Sequence, residues 1–375
     1  MTTIHDLFDT VFAGAIESNH ADDTGLLRQP AAALRVRDAG ESGCGTRPDK
    51  NAPPSPGFSL PMLSCRSLRE ERRLTAFEEE IMYMSARRIP LERMRASLGE
   101  ARGIDISGAR ISRITEEIRR EIRRWRTRTL EKTYPALYLD DVHLGEGGKE
   151  DRKGIHICYA VGVTPSGVKD ILGIWSTRNN PENLYPLILC DLRSRGVESS
   201  LLAFVPCAHG SREAFSRHFP LTRVHLNAAA LARDSLASVA CGLRKRLGRE
   251  MRTVFHAESL ADATWRIGAL CEAWSETSPS LVRLWEDSRE AVAEYFQYPA
   301  EVRSSFYQFH VLESLNSSLR KLRRKLKRIT DDEELDLIFF LTLHGVSKRW
   351  SVSVKDWDLL IEWITAHFRE GVKDA

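Results

Sequence analysis

Two adjacent carboxylates, Asp140 and Asp141, are expected to end the first predicted strand, YLDDVH. A carboxylate leaving a strand edge can hold a divalent cation with positions open for substrate oxygens. Far downstream, Glu313 opens a helix with an apolar seam of Leu312, Leu315, Leu319 and Leu322. A basic run that includes Arg320, Lys321 and Arg324 follows it and offers contacts to phosphate. Each signal has a plain alternative. Aspartate pairs are common in surface turns, a single helical glutamate is commonly solvated, and a basic run is often only a charged face.

A second group of residues could touch nucleic acid. Ser107 is placed as the N-cap of a helix in which Ile111, Ile114, Ile118 and Ile122 form one apolar stripe. Near its start Arg110, Ser112, Arg113 and Thr115 would face base edges, and later arginines, among them Arg120 and Arg124, would meet phosphates. The alternative is a solvated amphipathic helix, because Glu116, Glu117 and Glu121 can pair with many of those arginines one turn away.

These residues need a scaffold, and the apolar periods supply one. Phe77, Ile81 and Met84 recur at helical spacing, and Leu91, Met94 and Leu98 repeat it after Pro90. Gly103 ends that helix, so two short helices, a glycine turn and a basic helix give the outline of a helix-turn-helix unit. After about Lys132 the period changes. PALYLDDVHL, GIHICYAVGVTPSG and VKDILGIWST read as three strands with hairpin-like connections, which predicts antiparallel pairing. NLYPLILCDLRS reads as a helix, SLLAFVP as a strand, and a further helix leads to a strand around TRVHL. That order is an α/β layer. From Ala228 to about Pro299 the chain reads as helical throughout, with Trp265, Trp274 and Trp285 expected in its core. Three more helices close the sequence.

Bulk properties narrow the classes. The 375 residues carry 42% hydrophobic and 29% charged positions, the balance of a chain that folds in water, and the net charge of +3 says little about partners. From about Gly25 to Cys65 the Pro, Gly, Ser and Arg content is too high for a packed core, so residues 1–67 read as a disordered leader with one short helix near Ile4 to Ile16. No apolar run approaches the roughly 20 residues that span a bilayer. The seven cysteines form no Cys-x-x-Cys pair, which argues against a zinc knuckle or a disulfide framework and for a cytoplasmic chain.

Taken in order, these stretches resemble the Mutator-type family of transposases of bacterial insertion sequences. The resemblance runs from about Leu74 to the C-terminus. It is carried by LTAFEEEIMYMSARRIPLERMRASL with ISRITEEI, by YPALYLDDVH, by ILGIWS, by SRGVESSLLAFV and by ESLNSSLRK. It implies an RNase H-like α/β fold, a mixed sheet interrupted by an all-α insertion and preceded by a helix-turn-helix DNA-binding region. The corresponding boundaries are 68–132 for the DNA-binding region, 133–227 for the first part of the core, 228–299 for the insertion and 300–375 for the helical return.

The same resemblance implies a DDE triad holding two divalent metals about 4 Å apart for cleavage and strand transfer. Asp140 matches its first aspartate and Glu313 its glutamate, which would make them the metal ligands, with Mg²⁺ as the ion if the chain is active. The middle position departs from the pattern. Where the family has Val-Asp-Gly, this chain has Val205, Pro206 and Cys207, and proline has no side-chain acceptor. The family's Cys-x-x-His falls on Asn227 and Ala230, and the Asn before the glutamate helix falls on His310. His209 and Glu213 are the nearest substitutes, the first a poor match for Mg²⁺ and the second expected too far along its helix. The resemblance therefore implies a transposase-type protein, catalytically impaired, acting on double-stranded DNA at transposon ends. It also implies a homo-oligomer, with no membrane partner, in the nucleoid-associated cytoplasm. The alternative is a non-catalytic DNA-binding regulator or inhibitor derived from a transposase.

Overall fold

The computed structural model describes residues 34–35, 75–144, 155–177, 184–206, 208–306, 309–320, 332–347, 350, 354 and 357–370. Three helices come first: α1 (Ala76–Ala86), α2 (Leu91–Arg102) and α3 (Gly108–Thr127). Each end has a local cause. Thr75 and Glu78 form a reciprocal capping box that satisfies orphan amides at the start of α1. Gly103 closes α2 at φ 64°, a left-handed conformation that costs glycine nothing, and the Ser107 side chain accepts from the Arg110 amide to start α3.

The core sheet has strands β1 (Thr133–Leu144), β2 (Ile155–Val163), β3 (Lys169–Thr177), β4 (Ser199–Val205) and β5 (Arg223–Leu226). Their spatial order is β3-β2-β1-β4-β5. The first three strands are antiparallel neighbours, as the hairpin-like connections predicted, while β4 and β5 run parallel to β1. Helices α4 (Tyr185–Ser194) and α5 (Ala208–His218) connect them. Pro186 falls in the first turn of α4, where its missing N–H leaves no helical bond unmade.

After β5 come α6 (Ala228–Ala237), α7 (Arg244–Phe255), α8 (Leu260–Trp274), α9 (Pro279–Asp287) and α10 (Arg289–Ala293). Then follow α11 (Ala300–Phe306), α12 (Phe309–Arg320), α13 (Asp332–Ser347) and α14 (Trp357–Glu370). Among the described residues no helix is long and apolar enough to cross a membrane.

Alternation along β1 sorts its side chains between two cores. Leu137 and Leu139 enter the cluster that holds Ile188, Leu189 and Leu192 of α4 and Phe215 of α5. Ala136, Tyr138 and Val142 enter a larger cluster that reaches α3, the helices after β5 and α13. Asp140 lies on this second side by the same alternation. Helix α3 belongs to two cores. Ile111 packs with Ile81, Met84, Met94, Leu98 and Ile106, whereas Ile118, Ile122 and Trp125 are buried in the large cluster.

Several expectations need correction. Asp140 and Asp141 do not end their strand, because β1 continues to Leu144 against β2; only its parallel pairing with β4 stops early, at Tyr138 opposite Phe204. Glu313 does not open its helix, which starts at Phe309. Trp274 and Trp285 are core residues, but Trp265 is 71% exposed, since its turn of α8 faces away from the neighbouring helices. Within the segment expected to lack order, Leu34–Arg35 pairs in parallel with Trp175 and Ser176 of β3. The helix expected near Ile4 to Ile16 lies outside the described residues.

Candidate functional site

Asp140 is 1% exposed, so it is not the surface aspartate that the plainer reading allowed. Its position follows from β1 outrunning β4. Tyr138 and Phe204 are the last parallel partners, and their rings stack with centroids 4.7 Å apart. Two residues further on each strand stand Asp140 and Pro206. Pro206 is half-buried, outside the last turn of the strand ladder. Pro206 thus follows the strand next to Asp140 and brings no ligand atom with its side chain.

What surrounds Asp140 is a set of hydrogen-bond donors. Arg233 of α6 grips it with both terminal nitrogens, Nη1 at 3.0 Å from Oδ2 and Nη2 at 2.6 Å from Oδ1. The Asn316 amide of α12 donates to Oδ2 at 2.9 Å, and the Asp141 backbone N–H donates to Oδ1 at 2.9 Å. The Tyr159 hydroxyl stands 3.1 Å from Oδ2 and 3.1 Å from Oδ1 of Asn316, so its one proton is shared between two acceptors. Tyr159 is the direct cross-strand partner of Asp140. The Asp140 side chain is fully buried and that of Arg233 is only 10% exposed, so the pair is shielded from water and from salt.

Each partner is held by its own element. Asn227 caps α6, its side-chain oxygen accepting from the Ala229 backbone N–H at 3.0 Å, and its backbone N–H donates to the Val205 carbonyl at 2.6 Å. The buried run Ala228 to Ala232 then lets α6 lie close to the sheet, which aims Arg233 at β1. Helix α12 packs on β1 and α6 and presents the fully buried Asn316. Glu313 is one turn earlier on α12, but its side chain lies outside the described residues. Asn227 serves as a helix cap and Ala230 as close packing.

On the opposite face of the sheet, burial pushes the thiol of Cys158 in β2 up, and the charges of Asp141 and Asp140 push the same way. Burial of this kind makes a thiol a poor nucleophile. Among the described residues no group of three or more His, Cys, Asp and Glu could hold a metal ion. Glu213 is exposed and pairs with Arg217 at 2.5 Å, so it gives Asp140 no help.

The candidate DNA-contacting residues divide. Arg110, Ser112, Arg113, Arg120 and Arg124 of α3 are exposed, as is Arg320 at the end of α12. Arg113 pairs with Glu117 at 3.0 Å, an exposed contact of little strength that a phosphate or base could displace. Thr115 is half-buried and donates its hydroxyl to the Ile111 carbonyl at 3.0 Å, which turns it from the outer face. Lys321 and Arg324 lie outside the described residues.

Sequence reasoning missed Tyr159, Arg233 and Asn316. Asn316 could have been found, since it follows Glu313 by three residues and shares its helix face. Tyr159 needs the hairpin register, and Arg233 is 93 residues from its partner with no local pattern to announce it.

Fold and site define a mixed α/β protein with a carboxylate buried beside the end of its parallel strand pair and a short helical unit ahead of the sheet. Residues 63–352 match the family described as Transposase, Mutator family, and the chain belongs to that family. A probable transposase for insertion sequence element ISRM3-like from Sinorhizobium fredii is 27% identical over 292 residues, covering 77% of this chain and 72% of that protein. The transposase for insertion sequence element ISRM3 from Rhizobium meliloti is 27% identical over the same shares. A probable insertion-sequence transposase from Corynebacterium diphtheriae is 29% identical over 268 residues, 70% of this chain and 76% of its own length.

Proposed function

We propose that this chain is a transposase-type protein that binds the ends of an insertion sequence and is impaired in metal-dependent DNA cleavage and strand transfer. The observation that carries the impairment is Pro206, which stands after β4 beside Asp140 where the family's middle aspartate belongs. An in-line phosphoryl displacement between two cations needs a carboxylate shared from that strand. The residues present do not fit such a pair of ions, because Pro206 supplies no side-chain oxygen and Asp140 is already bonded to Arg233, Asn316 and the Asp141 amide. Loss of a shared ligand costs several kcal/mol at the transition state, and about 1.4 kcal/mol is tenfold in rate.

The strand order with three antiparallel strands followed by two parallel ones supports an RNase H-like core. The capped α2–α3 turn and the exposed arginines of α3 support a helix-turn-helix that enters the major groove. Double-stranded DNA at the transposon ends is the partner, reached as a homo-oligomer in the nucleoid-associated cytoplasm.

Cleavage and strand-transfer assays on cognate inverted repeats with Mg²⁺ or Mn²⁺ test this reading. Turnover should be reduced by orders of magnitude relative to family members with an intact triad. Robust turnover that Asp140→Ala abolishes would refute it. Binding should weaken with salt, with a slope near 0.9 per neutralised phosphate. Arg113→Ala should cost about 1 to 3 kcal/mol of sequence-specific binding if it reads a base. The saturated Asp140 also favours a second reading, a DNA-binding regulator or inhibitor that occupies element ends without cutting them. Repression of an active relative by this chain in the same assay would distinguish that role.

A further inference from the structure

We infer that Arg233 is the resident cation of the Asp140 pocket, so that the site is a closed structural ion pair that takes no divalent metal. This deepens the proposed impairment and rests on the same assignment of Asp140 to the triad's first position.

An ionised carboxylate offers about four lone-pair directions. Around Asp140 five donor atoms stand within hydrogen-bond range, two on Oδ1 and three on Oδ2. A cation at coordination distance must therefore displace donors already in place. The first to be displaced would be Arg233, whose fork meets both oxygens side by side, the geometry that makes guanidinium–carboxylate pairs strong and directional. Ejecting it would part a guanidinium that is only 10% exposed from a fully buried counter-charge. A proteinaceous cation also costs nothing to recruit, whereas Mg²⁺ sheds its waters reluctantly and demands near-octahedral oxygens.

The pair has a structural consequence. Asp140 receives bonds from α6 through Arg233, from α12 through Asn316 and from β2 through Tyr159, so one carboxylate of β1 links its strand to three other elements. In a fold where a metal would otherwise draw sheet and helices together, Arg233 does this without one.

The test needs no DNA and no turnover. Mn²⁺ binding to the full chain is followed by electron paramagnetic resonance of the free ion, and thermal unfolding is followed with and without millimolar Mg²⁺, Mn²⁺ or a chelator. The expected result is no protein-dependent loss of the free Mn²⁺ signal and one unchanged Tm. Arg233→Met should shift the folding equilibrium toward the unfolded state by on the order of a hundredfold or more, because it strands a buried charge. Asp140→Asn combined with Arg233→Met should recover most of that shift, giving strong non-additivity in a double-mutant cycle. Stoichiometric Mn²⁺ binding by the unaltered chain, abolished by Asp140→Asn, would overturn the inference. So would additive effects of the two substitutions. The outcomes separate from the proposed impairment: DNA cleavage without metal-induced stabilisation sinks only the impairment, and metal binding without cleavage sinks only the resident-cation claim.

Discussion

Trp125→Ala should lower the stability of the whole protein rather than loosen one helix, because α3 is buried in two cores. Trp125 is 2% exposed and sits edge-on to Phe340 of α13 with ring centroids 5.7 Å apart, beside Ile118 and Ile122 in the large cluster. Replacing a buried tryptophan by alanine costs about 3 to 5 kcal/mol, part transfer and part cavity. One feature lowers that figure. The indole Nε1 is buried with no hydrogen-bond partner among the described residues, and removing such a group recovers roughly 1 kcal/mol. The expected loss is therefore about 2 to 4 kcal/mol. Trp125→Phe, which keeps one aromatic ring and drops the orphaned N–H with the pyrrole half of the indole, should cost less than Trp125→Ala. Urea unfolding followed by far-ultraviolet circular dichroism and by DNA binding on the same samples provides the assay. Both probes should give one transition, moved to lower urea with an unchanged slope. A wild-type protein in which DNA binding is lost in a separate earlier transition would refute the joining of α3 to the core. A loss under about 1 kcal/mol for Trp125→Ala would refute the packing argument.

Other predictions probe separate features. A Cβ on Gly162 would stand 2.8 Å from Cε1 and 2.9 Å from Cγ of Tyr134, whose hydroxyl is fixed on Asp170 at 3.1 Å, so Gly162→Ala should cost about 1 to 3 kcal/mol in urea unfolding. Glu294 is pushed up by its burial, but the nearby His225 ring, 3.6 Å away, and the hydrogen bonds from Arg212 outweigh this and hold its carboxyl below the ordinary value of 4.5. A lowered carboxyl contributes stability above its unfolded pKa and loses it as pH falls through the folded one. Glu294→Gln should therefore be less stable than the wild type at pH 7, with the gap closing as pH falls below about 4.5; a gap that persists at lower pH contradicts the pairing with Arg212. In the native state an alkylating reagent at mildly alkaline pH should label the exposed Cys241 and spare the buried Cys158, with Cys158 labelled only in denaturant, as peptide mass mapping would show.

Local repetition and long-range convergence differ in what a sequence can reveal about this protein. The stripe Ile111, Ile118, Ile122 was legible because each residue repeats a requirement set by its neighbours one turn away, and all three are buried. Gly103 and Ser107 were legible for the same reason, since a helix end imposes its demands within four residues. Trp265 shows where periodicity stops: spacing says that a position lies on a face, but not whether another helix covers it. The extent of β1 was misjudged because its two edges end at different places. Antiparallel pairing with β2 runs to Leu144, while parallel pairing with β4 runs only to Tyr138, and no pattern within PALYLDDVHL separates these.

The polar site is the extreme case. Asp140 and Pro206 were brought together by a family resemblance, and the strand register explains the adjacency, since each lies two residues past the last paired rung. Arg233, Tyr159 and Asn316 come from α6, β2 and α12, separated from Asp140 by 93, 19 and 176 residues. A buried carboxylate must be neutralised by something, so its burial alone would have implied a cationic or metal partner. Burial, however, is a property of the assembled layers. The choice between an ion and a guanidinium is therefore decided only once β1 and α6 are packed, and it is the choice on which the chemistry of this chain turns.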